Sequence, residues 1–134
     1  LINYRRIDPE TKNLYYKKIL KELNKYNPSK TDIALVYRGK ILETCTSNIL
    51  FLRNKKYFTP KNNCYIGTTF KFFKKNINIF FKDIYLKDIY KYNEIILIGS
   101  GKAVTSVSSI TDLNWKRKSI KFYKKLDYIY QKEI

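Results

Sequence analysis

The stretch Gly39-Lys40-Ile41-Leu42-Glu43-Thr44-Cys45-Thr46-Ser47-Asn48-Ile49-Leu50-Phe51 decides how this chain is read. It leaves a turn at Arg38-Gly39-Lys40, enters an apolar run, meets one carboxylate, passes a group of small residues and re-enters an apolar run at Asn48. Two β-rich runs joined by small polar residues read as strands with a compact connection between them. Small hydroxyl side chains there leave room for a ligand. Glu43 is the only carboxylate between Asp32 and Asp83, so it does not belong to a solvated acidic face. An acid among apolar strands suits a cationic or protonatable ring; the plainer alternative is a hydrogen-bonded surface residue.

Working outward, residues 32–37 form the strand before the turn, and residues 41–42 continue as its hairpin partner. Residues 48–53 form a third strand, and Asn54-Lys55-Lys56 turns the chain into Tyr57-Phe58. Residues 59–63 read as a loop around Pro60. Towards the N-terminus, residues 3–8 read as extended. Pro9 then opens a helix capped by Asp8 that carries Leu14, Ile19, Leu20 and Leu23 and runs to about Tyr26. Downstream, Gly67-Thr68-Thr69 precedes a helix with Phe70, Phe72 and Phe73. Residues 77–81 read as a strand and 86–92 as a short helix. Residues 94–98 form a buried strand broken by Gly99-Ser100-Gly101, and 104–107 resume extended structure. The final helix, 119–131, has Ile120, Tyr123, Leu126 and Tyr130 on one face. Hairpins mixed with helices, with no repeat or linker, predict one mixed α/β domain over residues 1–134.

Composition narrows the function classes. The formal net charge of +17 invites a polyanionic partner, but it comes from 23 Lys against 5 Arg. Lys, Asn, Ile and Tyr together supply 66 of the 134 residues, a skew that an AT-rich coding sequence produces without any partner. Recognition of bases and phosphates favours the Arg fork, so no nucleic-acid partner is expected; a non-catalytic basic binding module remains the competing class. Cys45 and Cys64 lack metal-ligand spacing and there is no His. Zinc sites of the Cys/His kind, a disulfide framework and any Ser-His or Cys-His nucleophile pair are therefore not expected. With no run of 18 apolar residues and no secretory pattern, the expectation is a cytoplasmic protein with no membrane span. A first residue of Leu rather than Met suggests a fragment, a processed product or numbering that begins mid-protein.

Three segments place small polar residues at a strand or helix boundary: residues 43–48, Gly67-Thr68-Thr69 and Gly99-Ser100-Gly101. Gly-Thr-Thr before a helix exposes backbone N–H groups and two hydroxyls that can cradle a phosphate. Gly99-Ser100-Gly101 after a buried strand allows close backbone approach. Taken singly, each has an ordinary reading as a cap or tight turn.

Taken in order, the motifs resemble the fold-type IV pyridoxal-phosphate enzymes, which include branched-chain and D-amino acid aminotransferases and 4-amino-4-deoxychorismate lyases. The pieces are Glu43 to Phe51, Thr59-Pro60, Gly67-Thr68-Thr69 and Asn93-Glu94-Ile95-Ile96-Leu97-Ile98-Gly99-Ser100-Gly101. The resemblance runs from Asn3 to about Val107 and implies the large C-terminal domain of that fold, with the family's N-terminal domain outside the chain. Within the family the lyase is the first reading and an aminotransferase the second. The Asn93 to Gly101 segment is similar to the plant lyases, Phe70 stands where an Arg usually follows Gly-x-Thr, and the tail is short.

The resemblance implies pyridoxal 5′-phosphate as cofactor, with Glu43 at the pyridine nitrogen. It implies Gly67, Thr68, Thr69 and Ser100 around the phosphate and Gly99 admitting close backbone approach. It also implies Tyr65 flanking the ring, Ser47 beside it and Tyr4 at its phenolic oxygen. The family's Schiff-base lysine lies in the pattern Lys-x-x-Asn-Tyr/Arg. Asn3-Tyr4 fits its last two places, so the catalytic lysine is expected immediately before Leu1 and no catalytic residue is assigned within the chain. A small anionic substrate and a homodimer complete the expectation.

Overall fold

The computed structural model describes residues 2–3, 21, 25, 31–44, 46–61, 66–99, 101 and 103–132. The extended segment and helix expected over residues 3–26 lie outside the described residues except at Asn3, Lys21 and Lys25.

Two tight hairpins start the architecture. Strands β2 (Ala34–Tyr37) and β3 (Lys40–Thr44) meet at Tyr37 and Lys40, so the loop is Arg38-Gly39 alone. Strands β4 (Asn48–Arg53) and β5 (Lys56–Thr59) close the same way through Asn54-Lys55. All four loop residues have positive φ, between 51° and 77°, which matches the twist of two-residue hairpins. β1 (Ile2–Asn3) runs parallel to β2, and β7 (Ile84–Tyr85) pairs with β3, giving a sheet in the order β1-β2-β3-β7. The second sheet runs β6-β5-β4-β8-β9, with β6 at Ile79–Phe81, β8 at Glu94–Gly99 and β9 at Ala103–Ser106. A small third pair joins β10 (Ser109–Ile110) to β11 (Trp115–Lys116).

The centre of the molecule is the antiparallel pair β4–β8, in register from Asn48 opposite Ile98 to Leu52 opposite Glu94. Successive strand side chains point to opposite faces, and here both faces are covered. Ile49, Phe51, Ile95 and Leu97 join Val36, Ile41 and Ile84 in a core on the first-sheet side. Leu50, Leu52, Ile96 and Ile98 join Phe70, Phe73 and Leu126 in a core on the helix side. That is why both strands read as unbroken apolar runs rather than alternating ones.

The helix side carries α1 (Thr68–Asn76) and α2 (Lys121–Lys132). α1 is short and rich in β-branched and aromatic residues, so its own propensity is poor. Phe70 and Phe73 are buried one turn apart, and burying each contributes about 2–3 kcal/mol. α2 is held at its start by a side chain from another element. Glu94, 1% exposed on β8, accepts the N–H of Phe122 at 3.0 Å, the N–H of Tyr123 at 3.1 Å and the Ser119 hydroxyl at 3.2 Å. A carboxylate at a helix N-terminus takes up orphan donors and opposes the positive end of the dipole.

The mixed α/β architecture expected from the sequence, hairpins packed with helices, is the observed one. Strand 77–81 shortens to Ile79–Phe81, because Ile77 caps α1 through its N–H to the Phe73 carbonyl at 2.9 Å. The helix expected at 86–92 is a single 3₁₀ segment, Leu86–Lys91. β7, β10 and β11 are two residues long and have no periodicity to read; their partners define them.

Glu94→Ala leaves the donors at the start of α2 without their acceptor and is expected to destabilise the fold by about 3 kcal/mol, whereas Glu94→Gln, which keeps one acceptor oxygen, costs about 1–2 kcal/mol. Denaturant unfolding of the two variants tests this order. A second expectation concerns Tyr57. Its hydroxyl is buried and has no hydrogen-bond partner among the described residues. Burial, and then the nearby Glu94 charge, push its pKa from 10.0 up to about 12. The folded state therefore holds the phenol proton more tightly than the unfolded chain. Tyr57 contributes fully below pH 10, and that contribution falls away as pH rises from 10 to about 12. Tyr57→Phe should flatten this alkaline limb of stability and, by removing a buried unpartnered hydroxyl, raise stability at pH 7 by about 1 kcal/mol.

Candidate cofactor site

The connection between β3 and β4 is built by Thr44. Its buried hydroxyl accepts the N–H of Ser47 at 2.9 Å and of Thr46 at 3.3 Å, and donates to the Ser47 carbonyl at 3.3 Å. The Thr44 N–H also reaches the Ser47 carbonyl at 3.0 Å. Thr46 then ties the turn to the irregular segment that leads into β2, donating from Oγ1 to Asp32 Oδ2 at 2.6 Å. A hydroxyl amino acid is needed at 44 because one side chain must both donate and accept within the turn.

Ser47 follows as a buried residue beside the end of β8. A methyl group at Gly99 would lie 2.8 Å from Ser47 Oγ and 2.8 Å from the Thr46 carbonyl oxygen. Glycine at 99 is thus required so that β8 can pass against the 44–47 turn. Asn48 comes next, on the helix-side face of β4, and its Oδ1 accepts the N–H of Gly67 at 3.1 Å. Gly67 is the N-cap of α1, with extended φ and ψ and no side-chain cap. Thr68 in the first turn is exposed, and Thr69 is buried.

The three segments singled out in the sequence therefore converge. Residues 44–48 touch Gly67 through Asn48 and Gly99 through Ser47. Glu43 sits just before the turn, 3% exposed and opposite Leu35. The register shifts between Leu35 and Val36, so that Val36 pairs with Ile41 and Leu42 is the extra residue. A bulge of this kind re-aims neighbouring side chains. Leu35, Leu42 and Glu43 are all buried, yet none belongs to either apolar core. Tyr4, Tyr65 and Ser100 lie outside the described residues. The sequence reading left Thr44 without a role and did not assign Asn48 to the helix; a side-chain link spanning 19 residues leaves no local pattern.

A cavity of about 460 Å³ lies on the other face of the central pair, floored by Ile49, Phe51, Ile95 and Leu97 and edged by Asp32 and Thr44.

The chain matches the family described as amino-transferase class IV over residues 1–110. It belongs to that family. Among solved structures, a candidate 4-amino-4-deoxychorismate lyase from Legionella pneumophila superposes with a TM-score of 0.79 at 16% identity, covering 99% of this chain and 54% of that one. The branched-chain amino acid aminotransferase of Thermobaculum terrenum, in its PLP form, gives 0.74 at 20% identity, with 98% and 47% covered. That of Thermoproteus uzoniensis, with norvaline, gives 0.70 at 18%, with 87% and 41% covered. These identities establish a shared fold. The chain spans about half the length of the solved structures it matches. No curated protein sequence matches it. Among the described residues no helix is long and apolar enough to cross a membrane.

The class IV geometry fits a phosphorylated pyridine cofactor on its own chemistry. A helix start without a side-chain cap and without acidic residues in its first turn offers N–H donors to an anion. A buried carboxylate at Glu43 offers an acceptor to a protonated ring nitrogen, and a charged partner there lowers the cost of keeping it ionised.

Gly99→Ala is expected to cost about 1–3 kcal/mol, since its methyl meets a backbone carbonyl as well as a side chain and cannot be relieved by a rotamer change alone. Comparing it with Gly101→Ala, whose added Cβ meets nothing within 4 Å, in thermal unfolding separates this packing effect from loss of glycine flexibility.

Proposed function

We propose that this chain is the cofactor-holding domain of a pyridoxal-phosphate enzyme, and that the full-length protein is a 4-amino-4-deoxychorismate lyase yielding 4-aminobenzoate and pyruvate for folate synthesis. The observation that carries the cofactor reading is the convergence of the 43–48, 67–69 and 99 segments in a class IV chain. Bound pyridoxal 5′-phosphate supplies an electron sink for bonds broken at the substrate's α-carbon. Glu43 holds a proton at the ring nitrogen by offering it a buried anionic acceptor. The first turn of α1 binds the phosphate through its N–H groups, with the Thr68 hydroxyl as a further donor. Ser47 and Ser100 border the ring and phosphate, and Tyr4 and Tyr65 are assigned to the phenolic oxygen and the ring face. The lysine that moves the α-proton is assigned to the position before Leu1. A homodimer and a small anionic substrate belong to the same proposal.

Support for the lyase over an aminotransferase comes from position 70. Phe70 is 1% exposed and packs edge-on against Phe81 with ring centroids 6.0 Å apart. An Arg there would bury an unpaired charge, so the pattern with Arg after Gly-x-Thr cannot be reproduced in this packing. The aminotransferase remains the second reading.

The test is direct. Full-length protein should bind pyridoxal 5′-phosphate with visible absorption and release pyruvate from aminodeoxychorismate. Amino transfer to 2-oxoglutarate without pyruvate release would replace the lyase by the second reading, and absence of cofactor binding would remove both. Glu43→Gln should keep the cofactor bound but lower kcat by about 100-fold or more, the scale of removing one preorganised electrostatic partner.

A further inference from the structure

We infer that Asn48 is a positioning residue for the cofactor phosphate, its carboxamide oxygen fixing where the first turn of α1 presents its donors; the inference rests on the cofactor reading above. Helices that begin with Ser, Thr, Asp or Asn commit an N–H of the first turn to their own cap side chain. Gly67 has no side chain to do so, and no side-chain cap forms. In a capping box, the N–H of the cap residue itself is taken by Glu or Gln at the third helical position. Here that position is Phe70, buried in the helix-side core. The acceptor comes instead from Asn48, 19 residues earlier on β4.

This exchange has two effects. It anchors the helix start to the doubly buried β4–β8 ladder, in which Asn48 is itself paired with Ile98. It also does so through the N–H of Gly67, so the anchor makes no claim on the N–H groups of Thr68, Thr69 and Phe70. The choice of residue type points the same way. An acidic side chain would stabilise a helix N-terminus better than a neutral one. The first turn nevertheless contains no acid, and the tethering residue is a carboxamide. A neutral acceptor holds the helix without placing negative charge beside an incoming phosphate.

The experiment compares pyridoxal 5′-phosphate with pyridoxal, which lacks the phosphate, in fluorescence titrations of the full-length protein. Asn48→Ala removes the acceptor; Gly67→Pro removes the donor, at a φ of −81° that proline tolerates. Each should weaken binding of pyridoxal 5′-phosphate by about tenfold, the scale of one lost buried hydrogen bond, and change that of pyridoxal by less than about twofold. The double variant should lose no more than the weaker-binding single variant, because both changes break one bond. Retained pyridoxal binding reports that each variant is folded. If Asn48→Ala does not fold, Asn48→Asp keeps the acceptor and the fold and should still weaken the phosphorylated ligand more than pyridoxal. Equal losses for both ligands, unchanged affinity, or additive losses in the double variant would overturn the role of Asn48 while leaving the cofactor reading intact. A parent protein that binds neither ligand would overturn the cofactor reading itself.

Discussion

Everything else in this structure depends on the pair β4–β8 being buried on both of its faces. Burial on one side would let the outward residues be polar; burial on both removes that freedom for Ile49 to Leu52 and Ile95 to Ile98. Polar side chains can then enter only at the ends of the ladder, and there each must find a partner. The two that do so on the helix side are Asn48 and Glu94, at opposite ends of the register. Each accepts from the start of a helix, Asn48 from α1 and Glu94 from α2. The same constraint that closes the core thus delivers one helix start to the candidate site and ties the other to the far end.

The parts of the fold legible in the sequence were those with local cause. The Arg38-Gly39 and Asn54-Lys55 turns and the long apolar runs carried their own signals, and the observed boundaries of β4 coincide with the expected ones. Non-local structure was not legible. β7 exists because Lys40 and Ile41 pair with Tyr85 and Ile84, and β10–β11 because Ser109 and Ile110 pair with Lys116 and Trp115. At the candidate site the residue types were readable, while their assembly was not. Gly67-Thr68-Thr69 resembled an ordinary helix start, and the Asn48 contact connects it to the strand segment. The residue pattern alone leaves a surface position open for Glu43; the structure buries it, next to a bulge opposite Leu35 that no sequence pattern announces.

The excess of lysine acquires a structural use even if base composition supplied it. β6 is the edge of the larger sheet and exposes Phe80 and Phe81. Lys56 lies over the Phe80 ring at 5.7 Å and Lys74 over the Phe81 ring at 5.3 Å. Lysines placed over an apolar edge discourage it from pairing with a second chain.

Asn48 and Glu94 also act as a check on strand register. A slip of β4 or β8 by one residue would exchange that strand's two faces. Apolar side chains would tolerate the exchange, because both faces of the pair are greasy and a slipped ladder would still be buried. The two polar ends would not. Asn48 or Glu94 would be driven into the core between the sheets, and a helix would lose the acceptor at its start. In a strand pair whose hydrophobic pattern barely distinguishes one face from the other, two side chains at the corners carry the information about which way round it must go.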